Sequence, residues 1–228
     1  MKSLLAAFAV ATAALLPSTA QARGAPIAVA PSPDVEQLVA MLVGDDAMLR
    51  LGTRAFDANI EEELAADPQA KALLARDPGL KTYVSDQLRA SFVAVLQREL
   101  PTLRGQLGTL FASELTATEV ADTLAFFSSP VGRKLIAQVY QAAGDTPGQD
   151  QAAMQQAAIA SVMANLQPED YPALMAFGAS SAAQKMQVVN PKISATSQAW
   201  AEKLVSANEA AFRQQAIAAV ADYMAKQR

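Results

Sequence analysis

Between Leu115 and Leu135 the chain reads LTATEVADTLAFFSSPVGRKL, and this segment dictates two helices that meet at a tight turn. Thr116 and Glu119 stand at capping-box spacing, in which each side chain takes the other residue's backbone N–H. Leu115 and Val120 flank that cap, where a hydrophobic staple packs. The helix so started runs through Phe126 and Phe127. Ser129 then supplies a second cap, and Pro130 suits the first turn of the next helix, where its missing N–H is not needed. Gly132 lies in that turn, and its lack of a side chain permits a close approach. A helical hairpin is the expected building unit.

The rest of the chain carries helical spacing and no strand pattern. Val35, Leu38, Val39 and Leu42 share one face, as do Leu49, Phe56, Ile60 and Leu64. Gly44 can end the first of these helices, and Asp45 or Asp46 can cap the second. Asp67-Pro68 and Asp77-Pro78 read as helix starts. From about Lys81 a stripe of Val84, Leu88, Phe92 and Leu96 leads to Pro101, which should kink or restart the helix. Leu103, Leu107, Leu110 and Phe111 then continue it to Glu114. A last helix is expected from about Lys192 to Ala225, with Ile193, Trp200, Leu204 and Phe212 near one face.

The hairpin recurs in weaker form. Leu166 to Met186, LQPEDYPALMAFGASSAAQKM, aligns Leu166 with Leu115, Ala176 with Ala125, Phe177 with Phe126, Ser180 with Ser129 and Lys185 with Lys134. Leu166 and Tyr171 take the staple positions, Pro168 starts a helix, and Ser180 or Ser181 caps the next. The helices that follow agree better: AAMQQAAIASVMANL (152–166) and AAFRQQAIAAVADYM (210–224) share seven of fifteen positions. The expected fold is all-α. It is a helical bundle or short irregular solenoid of about eight to ten helices, built from two related helical-hairpin units at about 115–165 and 166–226. Together with the preceding helices these form one all-helical domain, 34–228.

The first hairpin resembles the hallmark of a bacterial family called domain of unknown function 2059: a capped acidic helix start, an aromatic pair, Ser/Thr-Pro, and Gly followed closely by Lys. The matching residues are Leu115, Thr116, Glu119, Phe126, Phe127, Ser129, Pro130, Gly132 and Lys134. The second copy, marked by Leu166, Pro168, Phe177, Ser180 and Lys185, departs from it. Gly178 replaces the second aromatic, Ser181 the Pro and Ala183 the Gly. The resemblance covers roughly residues 115–228. It implies an exported helical protein and carries over no catalytic residues.

The N-terminus points the same way. Lys2 precedes an apolar run from Leu4 to Leu16, and Ala20-Gln21-Ala22 has the small residues of a cleavage site. This is the layout of a secretory signal peptide, residues 1–22. The run is shorter than the ~20 residues of a membrane span. Residues 23–33, RGAPIAVAPSP, read as a Pro/Ala-rich flexible tether. Cleavage after Ala22 removes Lys2, so the charge becomes 17 − 22 = −5. A mildly acidic chain without a basic tract is a poor partner for nucleic acid.

The chain has no His and no Cys. Ser-His-acid and Cys-His catalysis are therefore excluded, as are His and thiolate metal sites. No Ser-x-x-Lys spacing and no Gly-rich phosphate loop occurs. No cofactor-binding, metal-binding or catalytic set is expected. Each tempting residue has a structural reading beside the functional one. Lys134 and Lys185 could share an anion site, but such stems more often lie on apolar surface with the charge in water. Phe126, Phe127 and Phe177 could line a pocket, but at helical spacing they suit the core. Glu61-Glu62-Glu63 suits a solvated face better than a cation site. Trp200 is either core or an exposed anchor. The leading expectation is a non-enzymatic periplasmic interaction module that docks an envelope protein. The alternative is a carrier of a small apolar ligand, suggested by Met154, Met163, Met175 and Met186. A carboxylate-based hydrolase ranks third.

Overall fold

Ser32 accepts the backbone N–H of Val35 at 3.4 Å and starts the first helix, with Pro33 in its opening turn. The computed structural model describes residues 30–65, 72, 77–145 and 151–227, and contains no strand among them. The expected signal peptide, residues 23–29 of the tether, and the Asp67-Pro68 helix start lie outside the described residues. So do the side chains of Glu61 to Glu63. The described helices are α1 (Pro33–Leu42), α2 (Asp45–Ala65), α3 (Pro78–Glu114), α4 (Ala117–Ser128), α5 (Pro130–Asp145) and α6 (Gln151–Asn165). A 3-10 turn (Pro168–Asp170), α7 (Tyr171–Gly178) and α8 (Ser181–Lys226) follow. The all-α expectation holds for the described chain. Pro31 lies over Gly108 of α3, Ser32 caps α1 and Pro33 opens it, so residues 31–33, expected in the tether, belong to the folded part.

Two expected helix starts are corrected. α3 does not restart at Pro101; it is one helix of 37 residues, with Asp77 accepting the N–H groups of Gly79 and Leu80 at 2.9 and 3.1 Å. Its buried stripe passes the proline without a break: Leu96, Leu100, Leu103, Leu107 and Phe111 are all buried. Pro101 and Gln97, whose carbonyl loses its usual donor, are on the exposed side, where water can replace the missing bond. The last helix likewise does not begin near Lys192. α8 starts at Ser181, capped by Ser180, and continues through exposed Pro191 for 46 residues. Val189 and Ile193 on either side of Pro191 are both buried, so packing of the apolar face carries the helix past it.

α3 and α8 form the spine. Contacts along them run in opposite order: Tyr223 of α8 meets Asp77 at the start of α3, Trp200 meets Glu99, and Lys192 meets Glu114 at its end. The two long helices are therefore antiparallel. α1 packs on α3 and α4, α2 on α3 and α5, α6 on α5, and α7 on α4 and α8. Elements far apart in sequence share one continuous core. This is bundle packing; in a solenoid each unit touches only its neighbours.

The α1–α2 turn is clamped from outside. The Arg104 guanidinium of α3 donates to the Val43 carbonyl at 2.9 and 2.7 Å and to Asp45 at 2.7 Å. Tyr140 of α5 donates to the Leu42 carbonyl at 2.5 Å. The terminal carbonyls of α1 thus find partners that α1 itself cannot supply. Burial pushes the Tyr140 phenol well above its ordinary pKa, so it stays a donor.

Candidate functional site

The residues singled out in the first hairpin sit at the two ends of α4: Leu115, Thr116 and Glu119 at its start, and Phe126 to Gly132 at its junction with α5. Thr116 and Glu119 close a capping box: the Thr116 N–H donates to Glu119 at 2.8 Å, and the Glu119 N–H donates to Thr116 Oγ1 at 3.2 Å. Leu115 and Val120 are both buried beside it. Ser129 Oγ accepts the Gly132 N–H at 3.1 Å and starts α5 behind Pro130. A Cβ on Gly132 would lie 2.2 Å from the Phe126 carbonyl oxygen and 2.5 Å from Phe127 Cα. Only glycine permits this approach of α5 to the end of α4.

The second segment carries two comparable caps and packs on the first hairpin. Ser180 Oγ accepts the Ala183 N–H at 3.1 Å. Asp170 accepts the Gln167 N–H at 2.9 Å, repeating the backbone cap that Glu119 makes. Phe177 stacks on Phe126 with ring centroids 4.0 Å apart and an interplanar angle of 4°, and meets Phe127 edge-on at 6.1 Å. The aromatic set therefore joins the two hairpins, as its core reading requires. The second staple differs from the first. Tyr171 is 49% exposed, and Leu166 is only half-buried. The short 3-10 turn at Pro168 opens this hairpin differently, and its helix α7 is only eight residues long.

The two motif lysines cross over. Lys134 reaches Asp170 at 2.7 Å, and Lys185 reaches Glu114 at 3.6 Å, where Lys192 joins it at 2.5 Å. The Lys134 hydrogen bond, helped by the Gln167 N–H, holds the Asp170 carboxyl below its usual range. The Lys192 hydrogen bond does the same for Glu114, with Lys185 adding to it. Both motif lysines are thus engaged by internal carboxylates. Ion pairing is a role that neither sequence reading of them, as an anion site or as stems with solvated heads, included.

Trp200 is buried and donates from Nε1 to the Glu99 carbonyl at 3.2 Å, so its core reading is right. Of the methionines that suggested an apolar ligand, the Met154 side chain lies outside the described residues, and the other three do not share one environment. Met186 is buried, whereas Met163 and Met175 are 61% and 72% exposed. With Ile159 and Tyr171 they form i, i+4 pairs on the outer faces of α6 and α7.

A separate open cleft of about 580 Å³ lies between α1, α2 and α5. Met41, Leu51, Ile136 and Tyr140 contribute its apolar lining, and Arg50, Arg54 and Arg133 its charge. Among the described residues no carboxylate lines it.

Comparison with protein families adds one finding. Residues 101–169 match the model of a family described as an uncharacterized protein conserved in bacteria, DUF2059. The DUF2059 match bears out the resemblance read from the hairpin. It begins earlier, inside α3, and ends at Glu169, just inside the second hairpin. Neither the curated proteins nor the solved structures contain a match. Within the DUF2059 segment every hallmark residue serves the architecture, as a cap, a buried apolar contact, a helix start, a close approach or an ion pair.

Sequence reading missed the carboxylates that hold the lysines, although one signal for them was present. Asp170 aligns with Glu119, so a second backbone cap was legible at that position. Arg50 and Arg54 stand at i, i+4 spacing, which places them on one face. Arg133 joins them only through the packing of α2 on α5.

Proposed function

We propose that this chain is a non-enzymatic interaction module of the bacterial envelope, exported by its N-terminal signal peptide and docking a partner protein through α6 and α7. The observation that supports this is the exposure of Ile159, Met163, Tyr171 and Met175, at 54, 61, 49 and 72%. Each such side chain contributes roughly 1.5–3 kcal/mol when buried, and an exposed apolar patch marks a site of interaction. α6 packs one face on α5 and leaves Ile159 and Met163 outside. The hallmark residues support the non-enzymatic part, because their side chains serve the hairpin. The described residues of the cleft lining include no carboxylate, which weighs against a carboxylate pair acting there.

The two-unit reading draws support from the same faces. Ile159 and Ile217 occupy matching positions of the repeated helix sequence, and both are more than half exposed, at 54 and 65%. The Ser129 and Ser180 caps match as well.

The test is site-specific photo-crosslinking in cells, with the reactive residue at Met163, at Met175, or at exposed Glu209 as control. A discrete protein adduct at the first two positions, lost on Ile159→Asp without a fall in melting temperature, is the expected result. Equal labelling from Glu209, or no adduct from either helix, would rule the docking surface out. Fractionation with N-terminal sequencing tests export: the mature chain should begin at Arg23.

A further inference from the structure

The cleft between α1, α2 and α5 lies on different elements from the proposed docking faces, and its chemistry is different. The chain is acidic, with a formal net charge of −4 at pH 7, yet three arginines line this depression with no carboxylate among its described lining residues. Their states differ. Arg50 has no ion-pair partner among the described residues. Arg54 pairs with Asp145 at 3.3 Å, with both side chains more than half exposed, a geometry that contributes little and yields readily. Arg133 donates to the Ser128 carbonyl. Gly144 fixes where Arg54 lies: a Cβ there would sit 2.5 Å from its Nη1 and 3.1 Å from its Cδ, so the side chain rests against the last turn of α5.

Three guanidinium groups beside an apolar lining favour one kind of occupant. A small inorganic anion would satisfy the arginines and leave Met41, Leu51, Ile136 and Tyr140 wet. A purely apolar molecule would cover those side chains and desolvate cations without compensation. An anionic amphiphile answers both, with its head on the arginines and its chain on the lining. The volume of about 580 Å³ lies in the range of small-molecule sites. We infer that this cleft binds a single-chain anionic amphiphile, a fatty acid or a lysophospholipid with an anionic head, through Arg50, Arg54 and Arg133.

Calorimetric titration of the purified chain with palmitate below its micellar concentration tests this. The other probes are lysophosphatidylglycerol, hexadecyltrimethylammonium and inorganic phosphate. Saturable one-to-one binding of palmitate or the lysolipid is expected, and which binds tighter identifies the natural head. Arg50→Ala should weaken that binding about ten-fold, as loss of a charge-assisted hydrogen bond does. Gly144→Ala, which displaces Arg54, should weaken it too. The cationic surfactant carries a tail of the same length and needs no variant, so it keeps the test valid should a variant fail to fold. Equal binding of that surfactant, binding indifferent to Arg50→Ala in a folded variant, or phosphate binding as tightly as palmitate would overturn the assignment. So would retention on anionic vesicles without uptake of either monomer, which would make the arginines a membrane-surface patch.

Discussion

At Gly132 a methyl group has nowhere to go, because the nearest atoms are backbone and cannot swing aside. Gly132→Ala should therefore destabilise the protein by about 2–3 kcal/mol. At Gly105, inside α3, nothing lies within 4 Å of an added Cβ. Gly105→Ala should stabilise by about 0.5–1 kcal/mol through helix propensity and reduced unfolded-state freedom. Denaturant titration of the two variants reads both signs. Tyr140→Phe leaves the Leu42 carbonyl without its donor and should cost about 1–2 kcal/mol in the same assay. Much at this scale was legible from spacing: the Thr116–Glu119 box, the Ser129 cap and the role of Gly132 follow from local rules. Arg104 and Tyr140 were not, because their partners are carbonyls on another helix and carry no sequence signature.

Helix type and most helix starts could be read along the chain; the continuity of the helices through Pro101 and Pro191 could not. A proline removes one hydrogen bond, but a buried stripe on either side outweighs that loss when the proline faces water. That outcome depends on which face is covered, which is a tertiary property. The ion pairs of Lys134 with Asp170 and of Lys185 and Lys192 with Glu114 belong to this scale too. Asp170 and Glu114 have folded pKa values below their ordinary 3.8 and 4.5. A carboxyl whose pKa is lowered on folding adds stability that is complete above its ordinary value. That contribution disappears as the pH drops through the lowered one. Melting temperature should therefore decline below about pH 4.5, starting from the ordinary value of Glu114. Asp170→Asn with Glu114→Gln should be less stable at neutral pH and should show a flatter decline in acid, as a thermal scan across pH would reveal.

The whole molecule depends on α3 and α8 lying side by side. Phe212 of α8 meets Phe92 of α3 with ring centroids 6.4 Å apart, and Tyr223 meets Tyr83 at 5.6 Å. A chain ending after Val205 should lose these contacts and melt at least about 10 °C lower, since several kcal/mol are lost at roughly 2–4 °C each for this size. The bundle arrangement was one of two readings open in the sequence, because local periodicity does not say which stripes face each other. At the far end of the spine, Tyr223 donates to Asp77 across 146 residues, while Lys226 reaches Tyr83 across 143. The first turn of α3 thus waits for the last turn of α8. A polypeptide leaving the ribosome can form its hairpins early, but it cannot close this core until the last turn of α8 has emerged. Until then the chain remains open to be threaded, held or cut.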